Sequence, residues 1–589
     1  MSEPSLRKRK AQLSRPDSNI EPSKPAVTQE KSRDYRRIIY AVCLLSVAAF
    51  IYQYPEVIEK LLNEWLGFSE DDATIDGSNS DSIVDFSADV AKQNAVVEAF
   101  KHAWLAYERD AMGDDEYHPI SRKGTNLTEA GGIGYTVVDS IDTMLIMGLT
   151  GEYARSRHWV ANKMTFDRDA NFNTFETTIR VLGGLLSAYH LSGQDSIYLE
   201  KAKELADRIL PTFDTPSGLP LSQVNLGLRK GVYDSDYPGL VSTAEVSTIQ
   251  LEFRYLAHLT DEDIYWEKAE HVMAVIKAAR MPHGLVSIFM NAVEGKFATS
   301  AIRLGSRGDS YYEYLLKQYL QTNQTENVYR EMYDDTMTAI HNHLIQQSPT
   351  TKMTYTSELV PERNQQGQIS WRLTPKQDHL VCFLGGSLML GATKTGATVH
   401  KISIPPKPRE LTKEGLRDWK SGVELVKTCM RTYDTATGLA PEIVHFRIPS
   451  DGMEVSALAP MDWYIKGAKH GAPAVYDARY ILRPETIESL FIAFRLTGDK
   501  RYRDDGWRIF QSIQKHCRVG TGGYASIINV DQNPAEQEDK METFLMSETL
   551  KYLYLLFSDA DVLPLDEYVF NTEGHPLPIF NPTIRTGFS

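Results

Sequence analysis

One phrase recurs along this chain and limits its fold more than any other feature. An apolar helical run ends in Leu-Ser/Thr-Gly/Asp, an acidic residue follows nearby, and an aromatic residue opens a charged helix. The instances are LTGEY at Leu149, LSGQDSIY at Leu191, LTDEDIY at Leu259 and LTGDKRY at Leu496. Glycine ends a helix in the left-handed conformation and Ser, Thr or Asp caps the next, so each phrase reads as the corner of a helical hairpin. The flanking helices differ in character. VLGGLLSAYHL (181–191) is apolar on nearly every side, as a fully buried helix must be, whereas YLEKAKELADRIL (198–210) has charge on one face and an apolar stripe on the other. Buried and half-exposed helices in alternation predict an all-α fold of two concentric rings, a closed toroid of hairpins. An open solenoid would not need its buried member to be apolar all round. The corners fall 42, 68 and 237 residues apart, so the repetition is irregular, and a few β-rich insertions such as KISIPP (401–406) are expected.

The amino terminus does not belong to this pattern. After Arg36 and Arg37 come seventeen uncharged residues, IIYAVCLLSVAAFIYQY (38–54), closed by Pro55 and Glu56. As a helix they would span about 26 Å, close to the roughly 27 Å of an endoplasmic-reticulum bilayer. Residues 1–37 carry a net +5, leaving −20 on the remainder of a chain whose total is −15. The basic flank comes first, so the positive-inside rule leaves residues 1–37 cytosolic and the acidic bulk lumenal. A cleaved leader at Ser46-Val47-Ala48 is the rival reading, but the polar lead of 37 residues is too long for one. Residues 55–88 read as a solvated lumenal stem. An EF-hand starting at Asp72 fails on its third and twelfth positions, Thr74 and Ile83. The acidic balance excludes nucleic acid as a partner. Sequons at Asn126 and Asn323 suit a secretory lumen. Beyond the apolar segment lie Cys382, Cys429 and Cys517, an odd number, so spacing alone leaves open one disulfide with a free thiol, an intermolecular pairing, or three buried thiols.

Motifs for zinc hydrolysis, nucleotide binding and a serine nucleophile (HExxH, GxxxxGK[ST], GxGxxG, GxSxG) are absent. What stands out is an excess of carboxylates at the starts of apolar helices. In FETTIRVLGG, Glu176 and Arg180 are i,i+4; in RPETIESLFIAF, Arg483 and Pro484 lead into Glu485 and Glu488; METFLMSETLKYLYLLF sets Phe544 and Glu548 on one face. Any one of these could be an exposed capping or ion-paired charge. Several together, each leading into a nearly all-apolar helix, predict that an inner ring gathers them at one rim. Burying ionised carboxylates is expensive unless they are paired or used. Paired carboxylates in an aromatic-walled pocket suit glycoside hydrolysis, where one protonates the leaving oxygen and the other activates water or attacks.

At these residues the chain resembles the class I α1,2-mannosidases, glycoside hydrolase family 47, of the endoplasmic-reticulum type. The blocks that carry the resemblance run from about Ala103 to Pro578: AWLAYERDAMGDDEYHP, VVDSIDTMLIMGL, FETTIRVLGGLLSAYHLSG, AEVSTIQLEF, GDSYYEYLLKQ, DHLVCFLGG, GLAPEIVHF, LRPETIESLF and YVFNTEGHPLP. The resemblance implies an (α/α)7 barrel over 89–580, followed by a short tail, 581–589. It implies an inverting exo-glycosidase that trims oligomannose N-glycans in glycoprotein maturation and quality control, as a monomeric catalytic domain with a Ca2+ cofactor. By the family motifs, Glu176 would protonate the glycosidic oxygen, Glu485 would deprotonate the attacking water, and Asp309 would be the third essential carboxylate. Thr572 would bind calcium through its carbonyl and hydroxyl oxygens. Asp139, Asp142, Arg180, Glu245, Glu313, His379, Arg483, Glu488, Phe544, Glu548 and Glu573 would line the substrate pocket, and Cys382 would pair with Cys429. Arg307 stands two residues before Asp309, as in reticulum-type members, which implies removal chiefly of one middle-branch mannose. A lectin-like degradation factor of the same fold is the alternative; it could lose an acid or base, whereas Glu176, Asp309, Glu485 and Thr572 are all present. A helical scaffold without an active site would give no reason for carboxylates at buried helix starts.

Overall fold

The structure, a computed structural model, describes residues 84–279, 281, 284–448, 462–468, 473–584 and 587–588. The expected cytosolic tail, anchor 38–54 and stem as far as 83 lie outside the described residues, and no described helix is long and apolar enough to cross a membrane.

The described residues are mostly helical, in seven pairs. Helix α1 (Val90–Ala111) comes first; α2 (Tyr135–Ile146) turns into α3 (Thr150–Asn162), and α4 (Gly183–Leu191) into α5 (Ser196–Ile209). Then follow α6 (Gln250–Thr260) and α7 (Asp263–Ala279), α8 (Asp309–Gln321) and α9 (Asn327–His343), and α10 (Phe383–Lys394) and α11 (Lys413–Arg431). The last are α12 (Glu485–Thr497), α13 (Lys500–His516) and α14 (Leu550–Phe557), which pairs with α1. Around the inside, α2 touches α4, α4 touches α6, and so on through α8, α10, α12 and α14, and the turn before α14 packs back on α2. The inner ring is therefore closed.

All four corner phrases are hairpin corners. Gly148, Gly193 and Gly498 have φ of 68°, 76° and 68°, and Asp261 takes the same left-handed conformation at the third corner. Asp195 and Asp499 cap the helices that follow, accepting from the backbone N–H groups of Ile197 and Arg501. The inner members are buried through most of their length: every residue of α12 from Thr486 to Arg495, and of α8 from Ser310 to Gln321. Outer α11 and α13 instead bury one stripe. A closed inner ring leaves these helices no solvent-facing side, which is why even polar residues such as Lys317, Gln318 and Ser489 are buried on them.

Small antiparallel sheets of two or three strands join the helices. KISIPP is not among them: no strand forms over 401–406, where two consecutive prolines remove the N–H donors a ladder needs. The β-structure that matters for the site is the hairpin of β1 (Tyr568–Phe570) and β2 (Pro576–Pro578), which reaches into the ring against α8 and α4. Gly183 and Gly184 make room for it. A Cβ at Gly183 would stand 2.6 Å from Nδ2 of Asn571, and one at Gly184 3.2 Å from the ring of His575. Two expected boundaries shift. Residues 84–88, assigned to the stem, pack on the barrel, with Phe86 edge-on to Phe494 at 5.6 Å and the Ser87 carbonyl accepting from Arg503. In the C-terminal tail, Gly587 donates to Glu270 and Phe588 meets Tyr329 edge-on. Cys382 and Cys429 form the disulfide, with 5.9 Å between Cα atoms, and Cys517 is free and buried. Asn126 and Asn323 are both exposed.

Candidate active site

The first turns of the inner helices converge on a cavity of about 320 Å3. Glu176 is held there by Asn173, whose side chain accepts from the Glu176 N–H at 2.8 Å. Asp309 and Glu485 are the first residues of α8 and α12. A carboxylate in a first helical turn faces unpaired N–H groups and the positive end of the helix dipole, so the fold supplies part of the stabilisation these charges need. Two π-helical turns, Thr177–Leu182 and Leu545–Thr549, carry Arg180 and Glu548. An extra residue in a helical turn shifts every later side chain around the axis, and such turns recur at functional sites.

Eight carboxyl groups line the cavity, from Glu176, Glu245, Asp309, Glu313, Glu485, Glu488, Glu548 and Glu573, against three guanidinium groups, from Arg180, Arg307 and Arg483. Thr572, at the tip of the β1–β2 hairpin, and Phe544 complete the polar and aromatic walls. Arg180 donates to Glu176 at 2.8 Å, to the Thr543 hydroxyl at 2.9 Å and to Glu573. Arg483 forks onto Glu442 and stands 3.7 Å from Glu485. Both guanidinium groups lie within 6 Å of the Phe544 ring.

The protonation balance separates the carboxyls. Burial would raise Glu485, but the His379 ring, which donates Nδ1–H to it at 2.9 Å, and the charge of Arg483 hold it below its usual range. Burial pushes Asp309 up to about 7, helped by the negative charges of Glu313, Asp378 and Glu485 and opposed by the Ser310 N–H. Glu245 and Glu488 are likewise raised by burial to about 7, against the pull of Arg307 and Lys317 respectively. Glu548 rises further, through burial and repulsion from Glu573, Glu485 and Glu488, and so does Glu573, through burial and repulsion from Asp139 and Glu176, both against the pull of Arg180. The site thus holds an ionised acceptor, Glu485, beside a proton-retaining acid, Asp309.

Of the residues expected to line the pocket, Asp139, Asp142 and His379 stand behind it. Asp139 and Asp142 are wholly buried against the two ring nitrogens of His575, at 3.1 and 2.7 Å. Lys551, also wholly buried, donates to Asp142 at 3.0 Å and to the Gly574 carbonyl at 2.7 Å, tying this charge cluster to the hairpin tip. His379 reaches Glu485 on one side and the Tyr433 hydroxyl, 3.1 Å away, on the other. Sequence reasoning did not single out Lys551, Lys317, Glu442 or His575. A lone lysine in an otherwise apolar helix, in KYLYLLF and in YLLKQYL, was the available signal for the first two.

Calcium can be tested against these residues. Among the described residues no three His, Cys, Asp or Glu side chains converge as a metal cage. The Thr572 hydroxyl instead donates to Glu313 at 2.8 Å, in a cavity it shares with Glu488, Glu548 and Glu573. The Thr572 oxygens beside four carboxyl groups, which a cation would ionise, fit a hard divalent cation held by few direct protein ligands and by water.

A carboxylate-lined cavity at the mouth of a helical ring suits a glycoside hydrolase, and residues 99–579 match the model of glycosyl hydrolase family 47, to which the chain belongs. Among its relatives are the mannosyl-oligosaccharide 1,2-alpha-mannosidase of Candida albicans, 43% identical over 508 residues (84% of this chain, 85% of that one). The endoplasmic reticulum mannosyl-oligosaccharide 1,2-alpha-mannosidase of Homo sapiens is 42% identical over 497 residues, 83% of this chain and 64% of the human one. The solved alpha-1,2-mannosidase from Trichoderma reesei superposes with a TM-score of 0.71 at 28% identity, covering 84% of this chain and 100% of that one.

Proposed function

We propose that this family 47 enzyme hydrolyses terminal α1,2-linked mannose from oligomannose N-glycans on glycoproteins in the endoplasmic reticulum, and does so with inversion. The relatives named for this activity, with their high coverage, support the substrate class. The single observation that carries the chemistry is the pairing of Asp309, which retains its proton to about 7, with the His379-bound carboxylate Glu485 in one cavity.

In this reading Asp309 holds the proton that the leaving oxygen takes, and Glu176, ion-paired with Arg180, orients that transfer as an acceptor. Glu485 accepts the proton of the attacking water, and His379, anchored at Tyr433, fixes the direction in which its carboxylate points. Arg483 keeps Glu485 ionised, and Phe544 offers an apolar face to the sugar ring. Thr572, backed by Glu313, Glu488, Glu548 and Glu573, would hold calcium, which supplies electrostatic positioning of sugar hydroxyls and water when bound. Arg307, ion-paired with Glu245 at 3.2 Å and stacked beside Tyr237 and Phe289, is fixed as a fork at the mouth and selects the middle branch. Residues 38–54 anchor the chain in the membrane with the catalytic domain lumenal, and that domain acts as a monomer.

The test is incubation with oligomannose glycan, with and without a chelator, following the product isomer and its anomer. β-Mannose released only while calcium is present is expected. α-Mannose, before mutarotation intervenes, or full activity after complete removal of calcium would overturn the mechanism.

A further inference from the structure

Among the residues of the cavity wall only Arg307 has a left-handed backbone, at φ 71°. A residue with a Cβ holds that conformation only where its surroundings fix it. The surroundings here come from one small sheet and the loop that enters it. Strand Leu240–Ser242 pairs with strand Phe289–Asn291, which sets Phe289 opposite Ser242. Ser242 caps the short helical turn Thr243–Val246. In that turn the Ala244 N–H donates to the Arg307 carbonyl at 3.0 Å, and the Glu245 carboxylate accepts from the guanidinium at 3.2 Å. The centre of the Phe289 ring lies 5.2 Å from the guanidinium carbon, and that of Tyr237, three residues before the first strand, lies 5.0 Å from it. The two rings meet at 4.8 Å, tilted by 34°.

These holds differ in kind. Burial, with the negative charges of Glu176 and Asp234, pushes Glu245 up to about 7 against the pull of Arg307 and Asn173, so near neutrality it carries only part of its charge. An aromatic face attracts a cation at any pH and uses none of its N–H donors, which stay free for sugar hydroxyls. Phe289 is fixed in its strand by the ladder. Tyr237 is 38% exposed, on a loop whose course is set by backbone: the Leu240 N–H donates to the Tyr237 carbonyl, and the Ala292 N–H to the Gly239 carbonyl, each at 3.0 Å. Its ring is left to cover Phe289 and Arg307. Arg307 and Glu245 line the cavity and Tyr237 does not, so any effect of Tyr237 on the glycan passes through Arg307.

We propose that Tyr237 is a specificity-determining residue for mannose trimming, a positioning residue that fixes the direction of the Arg307 fork at the cavity mouth. The proposal rests on the reading of Arg307 as the selector of the middle branch.

The test digests an oligomannose glycan to low conversion with the purified full chain and reads, by chromatography, the ratio of middle-branch to other-branch products. Arg307→Leu sets the scale of lost selection. Tyr237→Ala should lower the ratio about two- to fivefold, the size of a cation–π contact at an exposed site. Tyr237→Phe should keep it, and the double variant Tyr237→Ala/Arg307→Leu should be no less selective than Arg307→Leu alone. A parental ratio in Tyr237→Ala while Arg307→Leu broadens trimming would overturn the role of Tyr237 and leave that of Arg307 standing. A parental ratio in Arg307→Leu would overturn the branch reading, and the proposal with it. A double variant broader than Arg307→Leu, or a Tyr237→Phe as broad as Tyr237→Ala, would also overturn it, since the side chain would then act by another route. If Tyr237→Ala lowers Tm, Tyr237→Leu, which keeps apolar bulk on Phe289 and removes the aromatic face, decides the matter by the same ratio.

Discussion

Replacing Lys551 by methionine removes the one ammonium group from a cluster in which Asp139, Asp142 and His575 are all fully buried. Burial pushes Asp142 up, but Lys551 and then His575 pull it down to about 2. Without Lys551 a buried carboxylate keeps His575 and the Ser187 hydroxyl and loses its nearest fixed cation, and the Gly574 carbonyl is orphaned. Breaking a buried pair from one side costs about 3–5 kcal/mol. A barrel of roughly 500 residues has an unfolding entropy of about 1 kcal/mol per kelvin, so that cost becomes a Tm drop of about 3–5 °C. The carboxylate's contribution is present above the unfolded Asp value near 4 and is lost as pH falls through about 2, so the deficit narrows in acid. Differential scanning calorimetry at pH 7 and near pH 2.5, close to the folded Asp142 value, reads both. The coupling is checked with Asp142→Asn: the double variant should lose less than the sum of the singles. Strict additivity, or a Tm change under 1 °C in Lys551→Met, would refute the reasoning.

Glu485→Gln removes the proton acceptor while keeping its volume, and kcat should fall by about 10²–10⁴ with KM little changed, read from initial rates of mannose release. His379→Ala should lower kcat less and shift the acid limb of the pH profile upward, since it removes a group that holds Glu485 ionised. Because Asp309 must carry its proton to act, kcat/KM should decline as pH rises through about 7, and Asp309→Asn should abolish that limb along with most of the activity. Arg307→Leu should broaden trimming to the other branches; an unchanged product profile by chromatography would contradict the role of the Arg307 fork.

The helical corners were legible because their signals are local: a residue at positive φ close to each of Leu149, Leu191, Leu259 and Leu496, and at the second and fourth corners a side-chain cap, Asp195 and Asp499. The gathering of carboxylates was also legible, since helix starts in a closed ring share a rim. The charge cluster behind it was not. Lys551 is 409 positions from Asp142, and nothing near either residue names the other. The π-helical turns left no periodic trace either, yet Glu176 and Arg180 still meet at 2.8 Å, as their i,i+4 spacing suggested. KISIPP misled because alternating isoleucines resemble a strand, whereas here Ile402 lines a cavity and Ile404 is exposed.

The pairing of α1 with α14 has a consequence for biosynthesis. Chain emerging from a ribosome brings Glu176 out some 400 residues before Thr572, and the inner ring has no closing wall until α14 has emerged. Contacts over some 450 residues of sequence form late, because the loop must close before they stabilise anything. A nascent or truncated chain therefore holds most of its catalytic carboxylates with no cavity to put them in. Enzymatic competence is a report that synthesis has passed α14 and the hairpin that carries Thr572.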